Sequence, residues 1–136
     1  GIFLTQGIVS TAVSVVAGGA ANNVSVTSNA ASLTIQTITA LGNVTVNNSA
    51  GSLLDDNNGA TKITGQNVDL TAVSGIGIVA NPLDTSTVAT LSATVTNGVM
   101  GGTPAAPIYI DTTGTPTPAL AQTNNRWRRT SKTSAQ

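Results

Sequence analysis

The tetrapeptide Asn23-Val24-Ser25-Val26 returns twenty residues later as Asn43-Val44-Thr45-Val46. An echo at a constant step of this size marks stacked units, each too small to bury its own apolar face without a neighbour. Other apolar positions keep nearly the same step. Leu33 to Leu53 is twenty residues, Val44 to Ile63 nineteen, and Leu70 to Leu91 twenty-one. Within each unit the apolar residues alternate, as in Val24/Val26, Leu33/Ile35, Val44/Val46, Val68/Leu70, Ile76/Ile78 and Ile108/Ile110. That is the period of a strand with one buried face. Turn-forming pairs such as Gly18-Gly19, Asn22-Asn23, Gly42-Asn43, Asn81-Pro82 and Asn97-Gly98 punctuate the runs and keep the strands very short.

At ~3.3 Å per extended residue, two or three such strands and their corners close one coil in about this length. The expected fold is all-β, a parallel β-solenoid (β-helix) with roughly twenty-residue coils. Val24, Val26, Leu33, Ile35, Val44, Val46, Val68 and Leu70 would face inward and stack in columns. The alternative is an antiparallel β-sandwich, which also has short strands but requires no repeat at fixed spacing. A sandwich core usually relies on aromatic side chains. Here 136 residues carry one Phe, one Tyr and one Trp, so an apolar share of 40% must come mostly from Val, Ile, Leu and Ala. Such side chains suit a thin interior.

The solenoid is expected over residues 1–120, with a Pro-rich end from 101, followed by a basic terminal tail over 121–136. Pro104, Pro107, Pro116 and Pro118 cannot donate ladder hydrogen bonds, so this end reads as edge structure or linker, with Ile108-Tyr109-Ile110 its one good strand. Formal net charge is zero, but all five acids (Asp55, Asp56, Asp69, Asp84, Asp111) precede residue 112, and four of the five bases follow residue 125. The apolar stretch 1–21 is broken by Thr5, Gln6, Ser10, Thr11 and Ser14 and lacks a basic start, so neither a signal peptide nor a membrane span is expected. A chain that does not begin with Met is expected to be a mature form or a fragment.

Catalysis is poorly provided for. His, Cys and Glu are all missing, leaving Asp as the only carboxylate and Lys62 as the sole base of the body. Asp55 and Asp56 form a conceivable carboxylate pair, but neighbours on a strand point to opposite faces. No enzyme activity, catalytic residue or cofactor is expected. Asp55-Asp56-Asn57-Asn58-Gly59 offers oxygen ligands of the kind Ca²⁺ takes, yet the Gly comes one position early for an EF-hand loop and the closing Glu is absent. An Asx-rich turn without metal is the better account.

Thr-x-Thr pairs at Thr37/Thr39, Thr85/Thr87, Thr94/Thr96 and Thr115/Thr117 suggest a flat ice-binding face, but only Thr94 to Thr115 keeps a twenty-one-residue step. Exposed strand threonines explain them better. Asn23, Asn43 and Asn47 head N-x-[ST] triplets. At a repeated corner, inward-turned Asn side chains stacking as a hydrogen-bonded ladder are favoured over glycosylation. The tail residues Arg126, Trp127, Arg128 and Arg129 are the candidate partner contact. They suit phosphates, an acidic membrane surface or the mildly acidic body of another copy. A solvated terminus explains them as well, and four bases with one ring are too few for a nucleic-acid protein, so no nucleic-acid partner is expected.

Leu70-Thr71-Ala72-Val73-Ser74-Gly75-Ile76-Gly77 with Asn81-Pro82-Leu83 resembles the repeats of filamentous-haemagglutinin-like bacterial exoproteins. Ser52-Leu53-Leu54-Asp55-Asp56-Asn57-Asn58-Gly59 resembles the turn that precedes that strand, and Ile108-Tyr109-Ile110-Asp111-Thr112-Thr113-Gly114 the strand and turn that close the unit. The likeness covers roughly residues 42–114; the Pro-rich end and the Arg-Trp-Arg-Arg tail depart from it. It implies a right-handed β-helix at an extracellular or cell-surface location, acting as a structural or adhesive segment of a surface or fibre protein. Its partners would be a host or neighbouring-cell surface, or copies of itself. Open solenoid ends leave a second expectation, a self-assembling subunit of an extracellular homopolymeric filament joined by end-to-end stacking or strand exchange.

Overall fold

A computed structural model describes residues 1–7, 12–96, 108–113, 117–122 and 127–129. Twelve strands follow in order: β1 Ile2–Gln6, β2 Ala12–Val16, β3 Val24–Ser28, β4 Ser32–Thr39, β5 Val44–Asn48, β6 Ser52–Asp55, β7 Ile63–Ala72, β8 Gly75–Ile76, β9 Leu83–Val95, β10 Ile108–Thr113, β11 Thr117–Gln122 and β12 Trp127–Arg129. Every strand–strand pairing is parallel. The fold is the parallel β-solenoid that the repeat predicts, and the antiparallel sandwich is set aside. Among the described residues no helix is long and apolar enough to cross a membrane.

The pairings sort into three walls. Wall A stacks β1, β3, β5, the second half of β7, the second half of β9, and β11. Wall B stacks the first half of β4, then β6, β8, the start of β10, and β12. Wall C stacks the second half of β4, the first half of β7, the first half of β9, and the rest of β10. Long strands turn a corner between walls by slipping the two-residue phase. In β4, Leu33 and Ile35 are buried, Gln36 and Thr37 are not, and Ile38 is buried again. The β2–β4 register slips at the same corner, from Val13↔Ile35 to Val15↔Ile38.

Parallel sheets need both faces protected or one face well covered. Here each wall covers the inner faces of the other two. The inward residues form files that run along the stack, Val24–Val44–Val68–Leu91 and Val26–Val46–Leu70–Ala93 on wall A and Leu33–Leu53–Ile76–Ile108 on wall B. All of these are buried, and so is Ile35, the eighth of the residues expected to face inward. Each full burial of a Val, Leu or Ile is worth about 1.5–3 kcal/mol, so the files are the main source of stability. The one described Phe takes no part, since Phe3 is 85% exposed.

Several expectations are corrected. The twenty-residue step holds from Val24 to Val44 and from Leu33 to Leu53, then lengthens. Val44 stacks on Val68, twenty-four residues on, and Ile63 belongs to wall C, where it stacks on Ile38. The insertion of loop 56–62 between walls B and C accounts for the difference. Leu70 stacks on Ala93, and Leu91 on Val68, a slip of two residues that leaves both on the inner face. Ile78 does not continue the strand of Ile76. It is exposed and pairs with Asn81 across a tight antiparallel turn. Within the apolar stretch 1–21, which falls inside the expected solenoid, strands β1 and β2 carry the alternation as Ile2/Leu4 and Val13/Val15. At the Pro-rich end, residues 101–107 and 114–116 lie outside the described residues, while β10 and β11 both lie parallel to β9.

Corners between walls A and B are tight enough to exclude a side chain. A Cβ on Gly51 would lie 1.8 Å from the Ala31 carbonyl oxygen of the coil below. Gly51→Ala is therefore expected to cost about 1–3 kcal/mol by forcing two backbones apart. Gly59→Ala, whose new methyl meets nothing nearer than Asp84 Oδ2 at 3.9 Å, should be close to neutral. Thermal melts of the two variants check the contrast. Val44→Asp places an unpaired charge between Val24 and Val68 with no room for water, and is expected to abolish folding, read as loss of the β circular-dichroism signal. A cooperative melt at the parent's temperature would show that Val44 does not face the interior.

Candidate functional site

Three surface features hold the polar chemistry of the molecule: the Asn corner, the acidic loop and the outer side of wall A. The corner leading into wall A brings Asn23, Asn43, Asn67 and Thr90 into one line. Asn43 N–H donates to Asn23 Oδ1 at 2.8 Å, Asn67 Nδ2 donates to Asn43 Oδ1 at 2.8 Å, and Thr90 Oγ1 donates to Asn67 Oδ1 at 2.7 Å. A ladder therefore exists, and it extends two coils beyond the pair that the sequence suggested. Its side chains are not turned inward, however. Asn23, Asn43 and Thr90 are exposed and Asn67 is half-buried. They stand on the outside because the next residue along the strand is the first inward one.

The buried amide is instead Asn48, at the far end of the wall A strands beside Ser28 of the coil below. Asn48 Nδ2 donates to the Ser52 carbonyl at 2.9 Å, and Ser28 Oγ accepts from Ala30 N–H at 3.1 Å. Both side chains satisfy backbone groups of the A-to-B corner, which a buried turn cannot leave unpaired.

The acidic loop between walls B and C is held by its own carboxylates. Asp55 Oδ2 accepts from Asn57 N–H at 2.7 Å, and Asp56 Oδ1 accepts from Asn58 N–H at 3.1 Å. Asn58 Oδ1 accepts in turn from Ala60 N–H at 3.1 Å, and the Thr61 hydroxyl donates to Asp56 Oδ1 at 2.6 Å. These are successive Asx turns, with Asn57 in the left-handed region at φ 62° that Asn tolerates well. Asp55 also reaches the next coil, where Asp84 N–H lies 3.4 Å from Oδ1 and the Asn81 amide nitrogen, turned toward the carboxylate, lies 3.1 Å from Oδ2. The two carboxylates point back into the backbone that bears them. Among the described residues no group of three or more acidic, His or Cys side chains is placed to hold a metal ion. The loop is an Asx bracket that pins two coils together.

The outer side of wall A is the most regular surface. Its outward positions form two files, Phe3–Ser25–Thr45–Asp69–Ser92 and Thr5–Thr27–Asn47–Thr71–Thr94, polar at every position but Phe3. Neighbouring coils lie roughly 4.8 Å apart and alternate residues about 6.6 Å apart, so small hydroxyl and amide groups form a regular grid. Of the Thr-x-Thr pairs only Thr94 falls among these files, which are filled by Ser-x-Thr, Thr-x-Asn and Asp-x-Thr. Thr94 stacks on Ala121, twenty-seven residues on, and Thr115 lies outside the described residues. Reading the residues between Val24 and Val26, and between Val44 and Val46, as one outward file would have found it.

Of the four candidate contact residues, Arg126 lies outside the described residues. Trp127, Arg128 and Arg129 form β12, whose backbone lies parallel to β10 with Trp127 opposite Ile108, Arg128 opposite Tyr109 and Arg129 opposite Ile110. The structure brings these three positions into wall B, against the rung that carries the buried Ile108 and Ile110.

No family model, curated protein or solved structure matches this chain.

The Asn ladder gives a measurable stability difference. Asn67→Ala removes both the donor to Asn43 and the acceptor for Thr90, and should cost about 1 kcal/mol, since each partly exposed hydrogen bond is worth roughly 0.5–1.5 kcal/mol net. Asn67→Asp keeps the acceptor and should lose about half as much. Differential scanning calorimetry of the pair checks the order.

Proposed function

We propose that this solenoid is a structural and adhesive segment of an extracellular bacterial surface or fibre protein. The observation that carries the reading is the wall A grid. A parallel wall presents Ser25, Thr45, Asp69 and Ser92 beside Thr27, Asn47, Thr71 and Thr94 in register, on a scaffold whose interior is continuous from coil to coil. Such a surface can make many weak hydrogen bonds in register, and multiplicity turns weak contacts into firm attachment. Few charges and short side chains keep its adhesion polar and of low entropy cost. The likeness of Leu70–Gly77 and Asn81–Leu83 to filamentous-haemagglutinin-like repeats points to the same setting.

The experiment is attachment of beads coated with the chain to cultured host cells and to bacterial cells. Combined substitution Thr27→Asp and Thr94→Asp charges the grid without touching the interior and sets neither new carboxylate directly opposite Asp69. At least a tenfold loss of attached beads with an unchanged melting temperature is the expected outcome. Equal attachment by parent and variant would remove wall A as the adhesive surface.

A second reading is a self-assembling subunit of an extracellular homopolymeric filament. It is favoured by one feature, β1 at the end of the sheet with no strand on its outer side among the described residues. Negative-stain electron microscopy of the purified chain separates the two, with uniform long fibres expected of the filament subunit and discrete particles of the segment.

A further inference from the structure

Asparagine is a latent electrophile. When the backbone nitrogen of the following residue reaches the side-chain carbonyl carbon, a five-membered imide ring closes and ammonia leaves. Water then reopens the ring as a carboxylate. The reaction needs a following N–H that is free to give up its proton, little bulk on that residue, and room for the ring. The fold withholds the free N–H from several asparagines. Val24 N–H, after Asn23, donates to Asn43 O, and Ser49 N–H, after Asn48, donates to Ser28 O. Ala30 N–H, after Asn29, is held by Ser28 Oγ, and Asn58 N–H, after Asn57, by Asp56 Oδ1. Asn81 is followed by Pro82, which has no N–H to lose.

Asn58 meets all three conditions. It precedes Gly59, and both residues are exposed in loop 56–62. Among the described residues nothing accepts from the Gly59 N–H or from Asn58 Nδ2. A Cβ on Gly59 would meet nothing nearer than Asp84 Oδ2 at 3.9 Å, so the space around the nucleophile is open. Asn58 Oδ1 accepts from Ala60 N–H at 3.1 Å, an Asx turn. The ring that this bond closes runs through both Asn58 Cγ and the Gly59 nitrogen. It folds the electrophilic carbon along the chain toward that nitrogen, and it polarises the carbonyl that is attacked.

We propose that Asn58 is a site of spontaneous modification, converted by water alone through a succinimide with Gly59. The Gly59 nitrogen forms a bond to Asn58 Cγ, and the Cγ–Nδ2 bond breaks. The proton of the Gly59 N–H leaves with Nδ2 as ammonia. Water adds to one of the two ring carbonyls. Opening at Cγ leaves an aspartate at position 58. Opening at the former backbone carbonyl leaves an isoaspartate, with the chain rerouted through Cβ and Cγ. In sum, one amide and one water become one carboxylic acid and one ammonia, with no change of oxidation state.

Both products act on the loop that pins the coils. The aspartate adds a negative charge close in the chain to Asp55 and Asp56. The isoaspartate takes out of the main chain the carbonyl that accepts from Thr61 N–H at 2.9 Å and from Thr61 Oγ1 at 2.8 Å. The conversion runs one way, so the loop loosens as the molecule ages.

The test keeps the folded chain at mildly alkaline pH and body temperature, and digests samples over time with trypsin for fragmentation in a mass spectrometer. Cleavage after Lys62 places Asn58 on a different peptide from the second Asn-Gly pair, Asn97-Gly98, which lies outside the described residues. The expected result is a gain of about one mass unit located at Asn58, as a mixture of aspartate and isoaspartate, while Asn23, Asn29, Asn48 and Asn57 on the same peptide stay amides. Gly59→Ala leaves the fold in place but crowds the ring closure, and should slow the conversion at least about tenfold. In the converted chain the Thr61 amide should exchange its hydrogen faster than in the fresh one. An Asn58 that stays an amide, a rate that Gly59→Ala does not change, or earlier conversion at Asn23, Asn29, Asn48 or Asn57 would each overturn the site. Unchanged exchange at Thr61 after conversion would overturn the loosening.

Discussion

The direction of the backbone groups governs this molecule. On wall A, each inward residue hands its N–H and C=O to the next coil and each outward residue to the previous one, so both sides of every internal strand are satisfied without help from side chains. That leaves side chains free for two tasks only. The inward ones fill a narrow interior in files of Val, Leu, Ile and Ala, and the outward ones meet the surroundings. Because the ladder fixes neighbouring coils in register, one aliphatic residue lies directly on the next, and small side chains suffice where a two-layer fold would need rings. The near absence of aromatic residues follows from the geometry of the interior.

Polar side chains do their structural work at the corners, where the ladder is interrupted. Asn48 and Ser28 satisfy the inner turns from wall A to wall B, and the exposed line Asn23–Asn43–Asn67–Thr90 ties the corner into wall A from outside. Asp55 and Asp56 close the loop between walls B and C, and Asp55 fastens it to the following coil. These residue types would look like ligands in another context. Here they bond to backbone groups of the turns, as Asp55, Asp56, Asn23 and Asn48 do, or to one another along the ladder, as Asn43, Asn67 and Thr90 do. What remains for contact with other molecules on wall A is its outer side, a product of the stack itself: one outward face repeated from coil to coil.

Legibility in the sequence followed how local each cause was. The alternation of Val24/Val26 and Leu33/Ile35 records a strand face and was readable, and the echo at Asn23 and Asn43 recorded stacking. Val44 to Ile63 misled, because two residues of the right kind at nearly the right distance belong to different walls, and loop 56–62 changes the count between them. Ile78 misled because the left-handed Gly77, whose Cβ would strike the Tyr109 carbonyl oxygen at 2.1 Å, turns the chain out of the strand after Ile76. The wall A grid was hidden for a related reason. Its files mix Ser, Thr, Asn and Asp, so a search for one motif at one spacing passes over them, although each position is fixed by the Val beside it.

The sequence by itself determined that the chain is built of short strands, that they repeat, and that their interior is aliphatic and thin. Alternation, turn residues and composition are properties of a few neighbouring positions, and they survive in one dimension. Only the tertiary structure decided which residues share a file and which side of each strand faces a neighbour. It also decided that Asn23 and Asn43 stand outside while Asn48 lies within. Those outcomes depend on the register between coils. Register is set by the summed lengths of loops and corners around a whole turn, and one or two residues of difference move a side chain to another wall or reverse the face it occupies.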